Sequence, residues 1–391
     1  VPCALHRMTS LGKGELAKAI FVGDFLERHK EDMQTNFIYI NKERKKFDAI
    51  KNNEQLNAYI DEHWVEGLHN FILIDEVQEI ESWEKSVRSY RTEEDTDIII
   101  TGSNSKMLSS ELSTLIGGRY HEIYVQSLSY QEFLLFHELE DNDDALSKYI
   151  NYGGLPGLKQ VGLDDEEFVW DYIRAVFHTV MLKDIVERNN IRNVSFLNTL
   201  LRYFADTIGK LSSLNNISKF MKSQGLDVSV KSIAAYLNYF RDAYLLLTVD
   251  RFDIHGKKLL ESNEKIYFGD VGLRNLIAGG ERQGDIEKIL ENIVYQQLVR
   301  MGYAVSVGQL RAGEVDFVCT KSNERLYVQV AYLIASEETE EREFGSLNNI
   351  KDNYPKYVIS MTPLVRRSDR QGVVHLGLRE FLKNGFEKKL P

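Results

Sequence analysis

The chain has 391 residues, 43% of them hydrophobic and 27% charged, with only five prolines, the balance of a globular protein of two or three domains. Its formal net charge of −11 argues against a surface coated for nucleic acid, and Cys3 and Cys319 alone make neither a disulfide framework nor a zinc site. No apolar run approaches the ~20 residues that span a membrane, so no membrane contact is expected, and so few cysteines are simplest to place in a reducing cytoplasm.

The opening VPCALHRMTSLGKGELAKAI does not begin with Met and lacks the long apolar core of a secretory signal. From there to about residue 150, short β-branched or aromatic runs alternate with helical periodicity. The runs are NFIYI (36–40), FILID (71–75), DIIITG (97–102) and HEIYV (121–125), and helices are expected over 52–64 and 82–91. Strands alternating with helices predict a parallel sheet covered on both faces. The run FILID ends in Asp75 and Glu76. Adjacent acids at a buried strand end can hold a Mg²⁺-bound water and polarise an attacking one, although a strand running into two solvated acids is also common. The next strand ends in small polar residues, GSNS, suited to face a terminal phosphate, and IGGRY places Arg119 where a charge-stabilising arginine could reach a neighbouring site.

Residues 151–284 read as mainly helical, with amphipathic segments at 166–189, 194–209, 215–225 and 229–246 followed by a strand-like 247–260. Two helices with a tight Gly-containing turn and then a hairpin predict a winged helix-turn-helix. From Arg188 to Ser262 there are eleven basic against six acidic side chains, so a local DNA-binding module is compatible with the acidic whole. Residues 285–391 read as helix (285–301), three strands (304–310, 314–320, 325–332), helix (338–350) and strand (356–361), a compact α/β module.

The order FILIDEVQEIESWEKSV, DIIITGSNSKMLSSELSTLIGGRY, VQSLSYQEF, YINYGGLPG, VMLKDIVERNNI, KIYFGDVGLRNLI, LENIVYQQLVRMGY and GEVDFV closely resembles a prokaryotic AAA+-superfamily ATPase family, from about residue 36 to residue 361. The resemblance implies an α/β chain of three domains: a P-loop NTPase-like parallel sheet (1–150), a helical winged-helix domain (151–284) and a restriction-endonuclease-like domain (285–391). It further implies Asp75 and Glu76 as the Walker B pair with Asp75 holding Mg²⁺ through water, Ser103 as the sensor position and Arg119 as the finger candidate. ATP and Mg²⁺ are the implied ligands. An arginine finger acts on a nucleotide often held by a neighbouring subunit, which implies a homo-oligomer.

The phosphate loop departs from the pattern. Gly-x-x-x-x-Gly-Lys-Ser/Thr needs glycines for backbone approach, Lys for β/γ charge and a hydroxyl for Mg²⁺. At RMTSLGKGELAK (7–18), Gly12-Lys13 is present, but Arg7 stands at the first glycine and Gly14 at the hydroxyl. Counting back from DFLERH (24–29), the family's Gly-Lys would fall nearer Gly14-Glu15. Either the cradle has degenerated, or the N-terminus is altered by truncation or a shifted frame. The start without Met and the return of family-like sequence near residue 36 favour the latter. In both cases weak ATP binding is expected.

In the middle domain Ser229 can cap a recognition helix, with Lys231 at its start. Lys219, Lys222, Lys257 and Lys258 could meet phosphates; the alternative is a winged helix that only packs against protein. In the last domain a restriction-endonuclease-type centre would use a helix Glu, a strand Asp and Glu-x-Lys on the next strand, to hold Mg²⁺ and activate water. Glu291 and Asp316 match, but Gln329 replaces the acid and Ala331 the lysine. Gln329 can still offer a carbonyl oxygen, and Glu314 shares a strand face with Asp316 and could compensate. A nucleic-acid-binding or structural remnant is expected over an active nuclease. The reading is thus an AAA+-type ATPase homologue acting on DNA or a protein partner, whose rivals are a nucleotide-independent DNA- or protein-binding protein and a metal-dependent nuclease.

Overall fold

The computed structural model of the protein describes residues 3–7, 35–102, 120–280, 283–311, 313–363, 367–370 and 372–387. These residues form two compact units, one from Val1–Gln126, Val176–Arg188 and Asp242–Tyr244, the other from Ser127–Ala175, Asn189–Arg241 and Leu245–Pro391. The division falls near Gln126 and not at residue 150, and one sheet runs across residue 284.

In the first unit, strands β1 (Cys3–Arg7), β2 (Thr35–Asn41), β3 (His69–Asp75), β4 (Thr96–Gly102) and β5 (His121–Val125) are all parallel, in the order β2-β3-β4-β1-β5. Two helices pack on this sheet, α1 (Asn53–His63) and α2 (Trp83–Tyr90). Helix α1 starts where the Asn52 side chain accepts the Gln55 N–H, satisfying a donor that has no partner inside the helix. Side chains alternate across each strand. Ile38, Ile40, Ile72, Ile74, Ile98 and Ile100 meet Leu56 and Ile60 of α1 and Trp83 and Val87 of α2. On the other face Phe71, Leu73 and Ile99 pack with Phe37, Tyr39, Ile123 and Val125. Burial on both faces explains why FILI and DIIIT read as unbroken apolar runs. The strand order changes direction beside β1, the kind of place where a parallel sheet opens a ligand crevice beyond its carboxyl ends.

The second unit carries a nine-stranded mixed sheet. Its strands are β6 (Leu211–Ser212), β7 (Leu246–Asp253), β8 (Lys258–Phe268), β9 (Ala304–Gln309), β10 (Glu314–Lys321), β11 (Glu324–Ala331), β12 (Lys356–Ser360), β13 (Arg367–Arg370) and β14 (Val373–Gly377). They lie in the order β13-β14-β12-β11-β10-β9-β7-β8-β6. The β7–β8 hairpin, expected to close the middle domain, joins the last module because β7 runs parallel to β9 over Arg251–Asp253. Register shifts between Val249 and Arg251 in β7 and between Val315 and Val318 in β10 bend these strands where ladder pairing lapses.

Helices follow in chain order: α3 (Tyr130–His137), α4 (Asp143–Tyr152), α5 (Glu166–Thr179), α6 (Val194–Asp206), α7 (Leu214–Ser223), α8 (Val230–Asp242), α9 (Val271–Ala278), α10 (Ile286–Arg300), α11 (Glu337–Asn348) and α12 (Leu378–Asn384). Helix α3 opens on a reciprocal capping box between Ser129 and Glu132. The segment expected as one helix over 166–189 changes winding at Val180, where π-helical Val180–Glu187 follows α5. Beyond residue 361 the chain adds β13, β14 and α12, none of which the sequence reading anticipated. No helix among the described residues is long and apolar enough to cross a membrane.

Candidate functional site

The apolar strand β3 ends in two buried acids, Asp75 at 0% and Glu76 at 7% exposure. Glu76 adopts a left-handed backbone, φ 57°, uncommon for a residue other than glycine, and there the chain leaves the sheet. Ile74 is in register with Ile100, so Thr101 follows beside Asp75. The Thr101 hydroxyl donates to Asp75 Oδ1 at 2.5 Å and accepts the Glu76 N–H at 3.2 Å. Gln78 Nε2 donates to Glu76 Oε2 at 2.5 Å. Asn41, in register with Asp75 from β2, is also buried.

These residues fit a hard divalent ion on the acid side. The donors are oxygens, as Mg²⁺ prefers, and the Thr101 hydroxyl orients Asp75 as an outer-shell partner orients a ligand. Ser103, Arg119, Gly12 and Lys13 lie outside the described residues. Thr101 and Gln78 were missed by the sequence reading. The former was signalled by its place at the end of DIIIT, two residues before Ser103.

The basic candidates all belong to the second unit and all are exposed: Lys219 and Lys222 on α7, Lys231 in the first turn of α8, Lys257 and Lys258 at the β7–β8 turn. Ser229 caps α8, accepting the Ser232 N–H at 3.0 Å. Lys222 pairs with Asp227 at 3.3 Å. The hairpin turn is set by Asp253, whose Oδ1 accepts the N–H groups of His255 and Gly256.

The nuclease-like candidates converge, around a residue that the sequence reading did not name. Lys265 of β8 is 1% exposed. Its Nζ lies 2.7 Å from Glu291 Oε1 on α10, 2.8 Å from Glu314 Oε1 and 3.4 Å from Asp316 Oδ1 on β10. The Tyr267 hydroxyl, on the same strand face as Lys265, donates to Glu291 Oε1 at 2.5 Å. Asn292 clamps the next residues, donating to the Phe268 carbonyl at 3.0 Å and accepting the Phe268 N–H at 2.7 Å.

Asp316 sits in the irregular stretch of β10, where side chains replace the lapsed ladder bonds. Its N–H goes to Gln329 Oε1 at 3.2 Å, and its Oδ2 accepts the Val330 N–H at 2.9 Å. Gln329 Nε2 donates to Glu343 Oε2 on α11 at 3.0 Å. Burial works to lower the Lys265 pKa, but the charges of Glu291, Asp316 and Glu314 outweigh it and hold the ammonium protonated well above its ordinary range. Burial first, then the Glu291 charge, pushes the Asp316 carboxyl up, against the pull of Lys265.

A nuclease-type divalent ion does not fit this donor set. The ammonium bridges the three carboxylates at hydrogen-bond distance. The Gln329 carbonyl, expected to be available, is taken by a backbone N–H. Glu314, expected to compensate for the missing acid, is turned to Lys265. Among the described residues, no group of three or more His, Cys, Asp or Glu side chains is arranged to hold a metal ion.

A family model described as an AAA domain matches residues 11–134, and a domain of unknown function (DUF8612) matches residues 143–283. An uncharacterized protein of Haemophilus influenzae is 36% identical over 330 residues, 83% of this chain and 81% of that protein. One of Methanocaldococcus jannaschii is 29% identical over 355 residues, 86% of this chain and 76% of that protein. Among solved structures, a Walker-type ATPase of Pyrococcus abyssi aligns with a TM-score of 0.45 at 13% identity, over 71% of this chain and 90% of that one. The ORC2 protein of Aeropyrum pernix aligns with a TM-score of 0.39 at 12% identity, over 76% and 89%. The chain belongs to the AAA family of P-loop ATPases, in one family with the Haemophilus protein.

Proposed function

We propose that this protein is a cytoplasmic ATPase whose first unit binds Mg²⁺-ATP and couples its hydrolysis to DNA or a protein partner. The observation that carries this reading is the buried Asp75–Glu76 pair at the carboxyl end of β3, with Thr101 on the neighbouring strand bonded to both residues. In this reading Asp75 holds Mg²⁺ through water, and the bound ion would neutralise charge on the phosphates. Glu76 polarises the water that attacks the terminal phosphorus. Ser103 senses that phosphate, and Arg119 reaches a nucleotide held by a neighbouring copy in a homo-oligomer. Gly12 and Lys13 are what remains of the phosphate cradle, so the chain binds ATP weakly.

Coupling would run through the second unit. The order α6, β6, α7, α8 and the β7–β8 hairpin supports a winged helix, with Lys219, Lys222, Lys231, Lys257 and Lys258 available to phosphates. The exposure of all five lysines also favours a second reading, nucleotide-independent DNA binding. That reading expects affinity to fall steeply with salt and to be unmoved by ATP.

The test is a calorimetric titration with Mg²⁺-ATP of this chain and of a chain whose first 18 residues are replaced by an intact phosphate loop. Binding only in the repaired chain is the expected result. In that chain, Glu76→Gln should lower hydrolysis by roughly 10²–10⁴-fold, the scale of a lost proton acceptor, with affinity retained. Binding in neither chain overturns the reading and leaves function with the second unit.

A further inference from the structure

The second unit contains a centre that no nucleotide chemistry uses. Glu291, Glu314 and Asp316 arrive from one helix and one strand, and all three face a single ammonium brought from a different strand. Three carboxylates around one point, with Asp316 buried and Glu291 and Glu314 half-buried, repel one another and favour a cation between them. A divalent ion would sit about 2.0–2.1 Å from each oxygen if Mg²⁺, or 2.3–2.6 Å if Ca²⁺. Here the central atom is nitrogen, at 2.7 to 3.4 Å.

The surrounding polar groups are arranged for that nitrogen. Tyr267 adds a second donor to Glu291 Oε1, and the Val330 N–H fills Asp316 Oδ2. Gln329 faces away, to Asp316 N–H and Glu343. Behind Glu291 stands Gly209, at φ 70°; a Cβ there would come within 2.9 Å of Glu291 Oε2. The carboxylate is thus backed by main chain on one side and by Lys265 and Tyr267 on the other.

We propose that Lys265 is the resident cation of this centre: its ammonium stands where a nuclease-type centre holds a divalent ion, so the centre is a metal-free lock. The lock ties the β7–β8 hairpin to α10 and β10. Bonds from Asn292 and Gln296 to the Phe268 backbone reinforce the same junction. The four charged groups come from positions 265, 291, 314 and 316, so loss of the lysine would leave three acids around a cation-sized gap.

The experiment is Mn²⁺ binding to the full chain, read by loss of the free-Mn²⁺ spin resonance signal, for wild type, Asp316→Asn, Lys265→Ala and the double variant. Wild type and Asp316→Asn should bind the same amount, because ions held elsewhere, the Asp75 region included, are common to both. Lys265→Ala should take up one additional Mn²⁺ per chain, lost again in the double variant, and that ion should raise its unfolding temperature. A Mn²⁺ bound by wild type and missing from Asp316→Asn overturns the proposal. So does DNA cleavage by wild type with Mn²⁺ that Asp316→Asn lacks. A folded Lys265→Ala that gains no ion overturns the equivalence of ammonium and metal. If Lys265→Ala does not fold, the comparison of wild type with Asp316→Asn decides alone.

Discussion

The two units each bring acids together around a buried strand position, and they treat the charge in different ways. In the first, Asp75 and Glu76 meet a hydroxyl, a carboxamide and their own backbone. Those partners orient the acids. In the second, Glu291, Glu314 and Asp316 surround an ammonium that neutralises and orients at once. Buried charge is costly unless paired, and in the second arrangement the pairing cation is a side chain of the protein itself. Acid clustering therefore does not by itself mark a metal site; what sits between the acids decides.

The largest expected effect tests the second half of this contrast. Lys265→Met removes the ammonium that faces Glu291, Glu314 and Asp316 and leaves three acids, Asp316 buried and the other two half-buried, to repel each other. Breaking a buried ion pair by removing one partner costs roughly 3–5 kcal/mol, which at about 2–4 °C per kcal/mol for a unit of this size is a drop of roughly 6–20 °C in the unfolding temperature. Calorimetric scanning of the second unit's transition measures it. A loss of only a degree or two would mean that the acids relax by taking up protons, and the cluster would then be no lock.

Next in size is Tyr267→Phe. The ring stays packed, stacked on Tyr295 at 4.8 Å and near Phe317 at 5.9 Å, while the hydroxyl that donates to Glu291 is gone. A hydrogen bond to a charged group contributes about 1.5–3 kcal/mol, so the same scan should show a smaller but clear drop. An unchanged transition would mean that Lys265 alone satisfies Glu291.

The contrast was half visible in the sequence. FILIDE carries its own evidence, since the run that makes the strand is contiguous with the acids it delivers. Glu291, Glu314 and Asp316 were legible as single residues because each sits in a local helix or strand pattern. Lys265 was not. It lies 51 positions from Asp316, in a strand assigned to a different domain, and only the continuous order β10-β9-β7-β8 brings it near. One local signal existed. In KIYF, Lys265 and Tyr267 share a strand face, and a lysine alternating with apolar residues in a central strand requires a buried partner. The segment after residue 361 was illegible for another reason: β13 and β14 are short, and β14 is a strand by virtue of pairing with β12, not of its own pattern.

The smallest effect sharpens the first half of the contrast. Thr101 joins Asp75 and Glu76 through one hydroxyl, accepting from a backbone N–H and donating to a carboxylate. Thr101→Val keeps the branched shape and the β propensity but removes both bonds. Because Thr101 touches no ligand in the proposed mechanism and acts through Asp75, its loss should weaken Mg²⁺-dependent nucleotide affinity by about 10–100-fold, the scale of a lost outer-shell partner. Metal-independent nucleotide affinity should hardly move. Thr101→Ser restores the hydroxyl and should restore most of the Mg²⁺ effect, which a purely packing role would not explain. Titrations of the loop-repaired chain with ATP, with and without Mg²⁺, separate the two. An equal fall under both conditions would make Thr101 a packing residue.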